Sequence, residues 1–101
     1  MGQLDKNTIK DVLRNSTQLL GKYHTKNIGL FGSFARGNYT EKSDVDILIE
    51  FTESPDLFDF VRLNRELATL LNRKVDLVTA EALHPFLKDT ILSEVEWIER
   101  H

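Results

Sequence analysis

"SDVDILIEF", residues 43–51, sets two aspartates one residue apart at the head of an apolar run. Val45, Ile47, Ile49 and Phe51 alternate with Asp46, Leu48 and Glu50, the period-two pattern of a strand with one buried face. Residues two apart on a strand point the same way and lie roughly 6.6 Å apart along it, so Asp44 and Asp46 share the other face. An aspartate within a strand is disfavoured and needs either solvent or a ligand. Asp44 taken alone would also serve as a turn or helix-cap residue.

Upstream, "NIGLF" (27–31) is too short for a helix and ends at Gly32, which reads as a buried strand. Before it, Ile9, Val12, Leu13, Leu19 and Leu20 recur at three-and-four spacing, predicting one amphipathic helix from Ile9 to Leu20. Asp5 or Asn7 is available as its cap and Gly21 as its stop. Downstream, the turn-rich "TESPD" leads into Leu57, Phe60, Val61, Leu63, Leu67, Leu70 and Leu71, a helix reaching about Asn72. "KVDLVT" (74–79) is a third strand, with Val75 and Leu77 on one face and Asp76 on the other. Pro85 opens a helix through Phe86, Leu87, Ile91 and Leu92, while the segment from Glu94 onward fits helix or strand equally. The order αββαβα predicts an α+β fold, a small mixed β-sheet with helices packed on it.

The chain has 101 residues, 41% hydrophobic and 29% charged, which predicts a single domain over 1–101 with no room for a separate substrate domain. With no cysteine it can form neither a disulfide nor a thiolate metal site. "MGQLDKNTIKDVL" lacks the basic start and apolar stretch of a signal peptide, and no apolar run approaches the roughly 20 residues that span a bilayer. The expectation is a soluble, cytoplasmic protein without membrane contact. Net charge is −3 with the 13 basic residues scattered, so no footprint for a long nucleic acid exists, although small phosphates remain compatible.

Two carboxylates held together resist joint ionisation unless a cation lies between them, and a hard divalent ion with oxygen preference meets that need. In two-metal phosphoryl chemistry the ions lie about 3.5 to 4 Å apart, a distance such a pair can bridge. Asp76 is the candidate third ligand, being the only other aspartate centred in a strand-like run; its alternative role is a solvated edge-strand residue. Gly32 and Ser33 follow the first strand and begin a short helical turn whose free N–H groups attract phosphate. Arg36, one turn on, can reach the same phosphates with a planar fork of donors, or serve as a surface ion-pair partner. His24, His84 and His101 share no ligand spacing and read as surface or terminal residues. Trp97 reads as core or interface, and Tyr39 as a solvated loop residue.

"LFGSFARG" (30–37), "SDVDILIEF" (43–51) and "RKVDLVT" (73–79), in this order and spacing, resemble the DNA-polymerase-β-like nucleotidyltransferase superfamily. The similarity is specifically to its minimal nucleotidyltransferases, often the antitoxin half of a pair with a HEPN-domain toxin, and "LHPFLKDTILSEVEWIER" (83–100) extends it over most of the chain. The resemblance implies Mg²⁺-dependent transfer of a nucleoside monophosphate from an NTP, most simply ATP, to an acceptor hydroxyl with release of pyrophosphate. Asp44 and Asp46 would bind two Mg²⁺ ions, Asp76 would bind the ion beside the acceptor and help to deprotonate it, and Gly32, Ser33 and Arg36 would hold the departing phosphates. It also implies a HEPN toxin as partner, with a tyrosine as acceptor. A small-molecule acceptor would need more pocket than 101 residues provide unless a homodimer completes it. The competing readings are an antitoxin that only masks its partner, which has no need of three converging carboxylates, and a nucleotide-sugar enzyme, for which the chain is too short.

Overall fold

The computed structural model describes residues 4–99. The last two residues of the 94–101 segment, Arg100 and His101, therefore lie outside the described residues. Four strands, β1 (Thr25–Phe31), β2 (Val45–Phe51), β3 (Val75–Thr79) and β4 (Glu96–Trp97), form one sheet in the order β3-β2-β1-β4. β1 runs antiparallel to both β2 and β4, whereas β2 and β3 are parallel. That parallel pair requires a crossover, and α4 (Leu57–Leu71) supplies it.

The apolar alternation sets the core. Ile28 and Leu30, Val45, Ile47 and Ile49, and Val75 and Leu77 turn one sheet face onto Leu63, Leu67 and Leu71 of α4 and onto Ile9, Leu13 and Leu20 before the sheet. The side chain of Asp56 caps α4 by accepting from the Asp59 N–H at 2.8 Å, and Asn72 ends it in the left-handed region at φ 51°.

The expected Ile9–Leu20 helix is two helices, α1 (Lys6–Arg14) and α2 (Thr17–Lys22). Ser16 donates its hydroxyl to the Val12 carbonyl at 2.6 Å and its N–H to the Leu13 carbonyl, which breaks the ladder while leaving both Leu13 and Leu20 buried. Asp5, not Asn7, is the cap of α1, accepting from the Thr8 N–H at 2.7 Å. Gly21 does not stop α2; the chain turns after Tyr23 at His24, whose φ is 59°.

The C-terminal segment resolves into α5 (Pro85–Glu94) and the short edge strand β4. Gly29 makes β4 possible, because a Cβ there would stand 2.7 Å from Val95 Cγ2 and 3.0 Å from the Trp97 ring. Glu96 anchors the strand to α1 through Lys6 at 2.8 Å and Lys10 at 3.0 Å, and buried Ile98 donates its N–H to the Ile28 carbonyl at 2.8 Å. Trp97 lies on this edge, half-exposed. Among the described residues no helix is long and apolar enough to cross a membrane.

Candidate active site

The sheet register brings the three motifs to one end. Phe31, the last residue of β1, pairs with Asp46, and Asp46 pairs with Asp76. Since directly paired residues share a face, Asp46 and Asp76 stand side by side on the face away from the core, on strands about 4.8 Å apart. Asp44, two residues before Asp46, lies just ahead of β2 on the same side.

Gly32 follows Phe31 with φ 76° and opens α3 (Gly32–Arg36), which Gly37 ends at φ 85°. A side chain at Gly32 would be strained by that φ and would overlap Asp46 Oδ2, so the glycine lets the carboxylate lie directly over the turn. Ser33 is half-buried beside it, and Arg36 projects from the end of the same short helix.

The loop between the motifs is held rather than free. Arg73 donates to the carbonyl of Ser43 at 2.9 Å and to that of Thr40 at 3.4 Å, and its guanidinium lies 5.7 Å from the Phe34 ring centre. Tyr39 stacks on Phe34 with centroids 4.4 Å apart, which corrects the expectation of a solvated tyrosine. The loop folds back over α3 because two aromatic rings and a cation gain more in contact than in water. Arg73, the first residue of the "RKVDLVT" block, thus fixes the residue immediately before Asp44, a role that its place in the sequence does not reveal.

Burial above all pushes Asp46 up to about 6, with the charges of Asp76 and then Asp44 adding to the shift and Arg36 opposing it. Asp44 has Lys74 Nζ at 3.8 Å, and Asp76 is exposed. Among the described residues no three acidic or imidazole side chains are gathered closely enough to cage an ion as they stand. The donor set nevertheless suits a hard divalent cation: all ligands are oxygen, and the like-charge field that raises Asp46 is what such an ion would neutralise.

A residue that the spacing did not reveal completes the site. Glu94, the last residue of α5, accepts from the Gly32 N–H at 3.3 Å and from Arg36 at 3.2 Å. Arg36 is therefore an ion-pair partner of Glu94 here, beside the phosphate role expected of it. His24 and His84 lie exposed and apart from the site.

The arrangement gathers oxygen donors of the kind a hard cation prefers near the Gly32 N–H and the Arg36 guanidinium, both of which Glu94 holds here, a combination whose chemistry suits a polyphosphate. The nucleotidyltransferase domain family model matches residues 9–98. Protein adenylyltransferase MntA of Thermococcus cleftensis is 37% identical over 99 residues, covering 97% of this chain and 100% of its own length. A candidate protein adenylyltransferase of Methanocaldococcus jannaschii is 46% identical over 92 residues, covering 89% of this chain and 94% of its own. Among solved structures, a candidate minimal nucleotidyltransferase superposes with a TM-score of 0.80 at 32% identity, covering 95% of this chain and 98% of that one. A mutant of the toxin-antitoxin MntA-HpeT superposes with a TM-score of 0.69 at 27% identity, over 98% of this chain and 75% of that one.

Proposed function

Because this chain belongs to the nucleotidyltransferase domain family, and is a nucleotidyltransferase homologous to protein adenylyltransferases, we propose that it transfers AMP from ATP to a tyrosine hydroxyl of a HEPN-type toxin. Pyrophosphate is released and the modified partner is silenced, so the chain acts in the cytoplasm as the antitoxin of a pair. The antitoxin role is supported by its likeness to a chain of a toxin-antitoxin structure.

The observation that carries the reading is the pairing of Asp46 with Asp76 beside Gly32, which sets two carboxylates, with Asp44 two residues before the first, against a glycine turn at one sheet end. Asp44, Asp46 and Asp76 would hold Mg²⁺, which, when bound, neutralises phosphate charge and polarises the reacting oxygens. The Gly32 N–H, the Ser33 hydroxyl and Arg36 bind the β and γ phosphates and orient the α-phosphorus for in-line attack. The acceptor oxygen forms a bond to the α-phosphorus while the bond from that phosphorus to the β-bridging oxygen breaks. The hydroxyl proton passes to the carboxylate of Asp76, the most exposed of the three and the one open to a protein acceptor.

Label transfer tests this directly. ATP labelled on the α-phosphate should label the partner in the presence of Mg²⁺, ATP labelled on the γ-phosphate should not, and Asp44→Asn with Asp46→Asn should abolish transfer. A partner that co-purifies but takes neither label would make the protein a masking antitoxin instead.

A further inference from the structure

Glu94 rests its carboxylate on the donors that the phosphates of the proposed substrate need. Its Oε1 accepts from the Gly32 N–H at 3.3 Å and from Arg36 Nη1 at 3.2 Å, while Oε2 lies 3.3 Å from the same arginine nitrogen. A carboxylate and a phosphate present the same kind of anionic acceptor to a guanidinium and a backbone N–H, and one set of donors cannot fully serve both. Glu94 is the inner partner, its side chain 21% exposed against 50% for Arg36.

Its position is costly in charge. Asp44, Asp46 and Asp76 already crowd this end of the sheet, and Glu94 adds a further negative charge beside Asp46. The backbone around it is pinned: Val95 donates to the Ile91 carbonyl at 2.9 Å, Glu96 is clasped by Lys6 and Lys10, and Ile98 is bonded to Ile28. Helix α5, by contrast, has no buried residue. The side chain of Glu94 can therefore swing toward solvent by rotation about its own bonds, without unpairing β4.

We propose that Glu94 is an internal competitor for the nucleotide: it holds the Gly32 N–H and Arg36 until an incoming triphosphate displaces it, and so sets the affinity of the site. This rests on the nucleotide reading above. A triphosphate carries more charge than one carboxylate and arrives with its cation, so it takes the donors when present and returns them to Glu94 on leaving.

The test is calorimetric titration of ATP with Mg²⁺ into the intact protein and into Glu94→Gln and Glu94→Ala, with far-UV circular dichroism checking the fold of each. Glutamine keeps the shape and an acceptor oxygen but loses the charge that makes these bonds about twice as strong, whereas alanine removes the occupant. The dissociation constant should fall about fivefold in Glu94→Gln, the scale of one partly exposed ion pair, and further in Glu94→Ala. Inorganic triphosphate with Mg²⁺ should gain by the same factor, since the competition is over phosphates. Equal or weaker binding by both variants while the unaltered protein binds ATP would overturn the inference and leave the nucleotide reading standing, with Glu94 reduced to a support for Arg36. A gain seen with ATP but not with triphosphate would also overturn it. Binding by none of the three proteins would remove the nucleotide reading and this inference together.

Discussion

Asp46 on β2 and Asp76 on β3 are direct partners in the parallel register, on the sheet face that turns away from the core. Their strands are about 4.8 Å apart, so the pairing sets two carboxylates at a separation that side-chain torsions alone can close around a cation.

Without a cation this neighbourhood destabilises the charged form of Asp46, whose folded value near 6 lies above the ordinary aspartate value of 3.8. Between those values the folded state holds a proton that the unfolded state has lost, so stability is highest below about pH 4 on this account, falls as pH rises through 6, and then levels. Asp46→Asn should remove that slope and, near neutral pH, raise stability by on the order of 1 kcal/mol, discounted for solvent screening. Urea denaturation in a chelator at about pH 4.5 and about pH 7.5 measures both.

Mg²⁺ with ATP should raise the melting temperature of the protein. A ligand at 100 times its dissociation constant adds about 2.7 kcal/mol, and Asp46→Asn should erase the gain. A nucleotide response that survives in the variant would reject the assignment of Asp46 as a metal ligand.

Gly32→Ala should lose both stability and activity. Its φ of 76° costs a residue with a Cβ about 1–2 kcal/mol, and the new atom would displace the Asp46 carboxylate. Thermal unfolding should shift down by several degrees, whereas Gly37→Ala, where no heavy atom beyond the adjoining residues lies within 4 Å of the new Cβ, should show the conformational cost without the loss of nucleotide binding.

Arg73→Lys should behave as a partial loss. Both bonds to the Ser43 and Thr40 carbonyls leave one nitrogen, Nη1, so lysine can keep the charge and a donor but loses the planar guanidinium over Phe34. We expect a stability cost of about 1 kcal/mol and weaker Mg²⁺-dependent nucleotide binding, larger in Arg73→Ala, because the loop that delivers Asp44 is released. Unchanged binding in Arg73→Ala would show that the loop needs no such anchor.

Gly29→Ala tests the edge strand. The added methyl meets Val95 and Trp97 at 2.7 and 3.0 Å and the Glu96 carbonyl oxygen at 3.2 Å, so β4 must move off β1. The cost should be about 1–3 kcal/mol. Trp97 is the only tryptophan, so its emission should shift to the red as it becomes more exposed.

Most of the architecture was legible in the chain because it is written in local periods. β2 spans the residues that its alternation marked, and α4 ends at Asn72 where the apolar spacing ceased. Asp76 faces away from Val75 and Leu77 because pleating leaves no other choice. The break between α1 and α2 is invisible in the sequence since the apolar spacing continues across a junction made by one serine hydroxyl, and β4 is equally so because two residues carry no period.

By itself, then, the sequence determined which faces are apolar, where the glycines must turn, and that three aspartates head toward one end of a sheet. Tertiary structure alone decided what their neighbours are. That Arg36 meets Glu94 across 58 residues, that Arg73 pins the loop before Asp44, and that Tyr39 lies on Phe34 depend on how helices pack on the sheet. A charge chooses its partner by proximity in space, and periodicity along the chain carries no record of that choice.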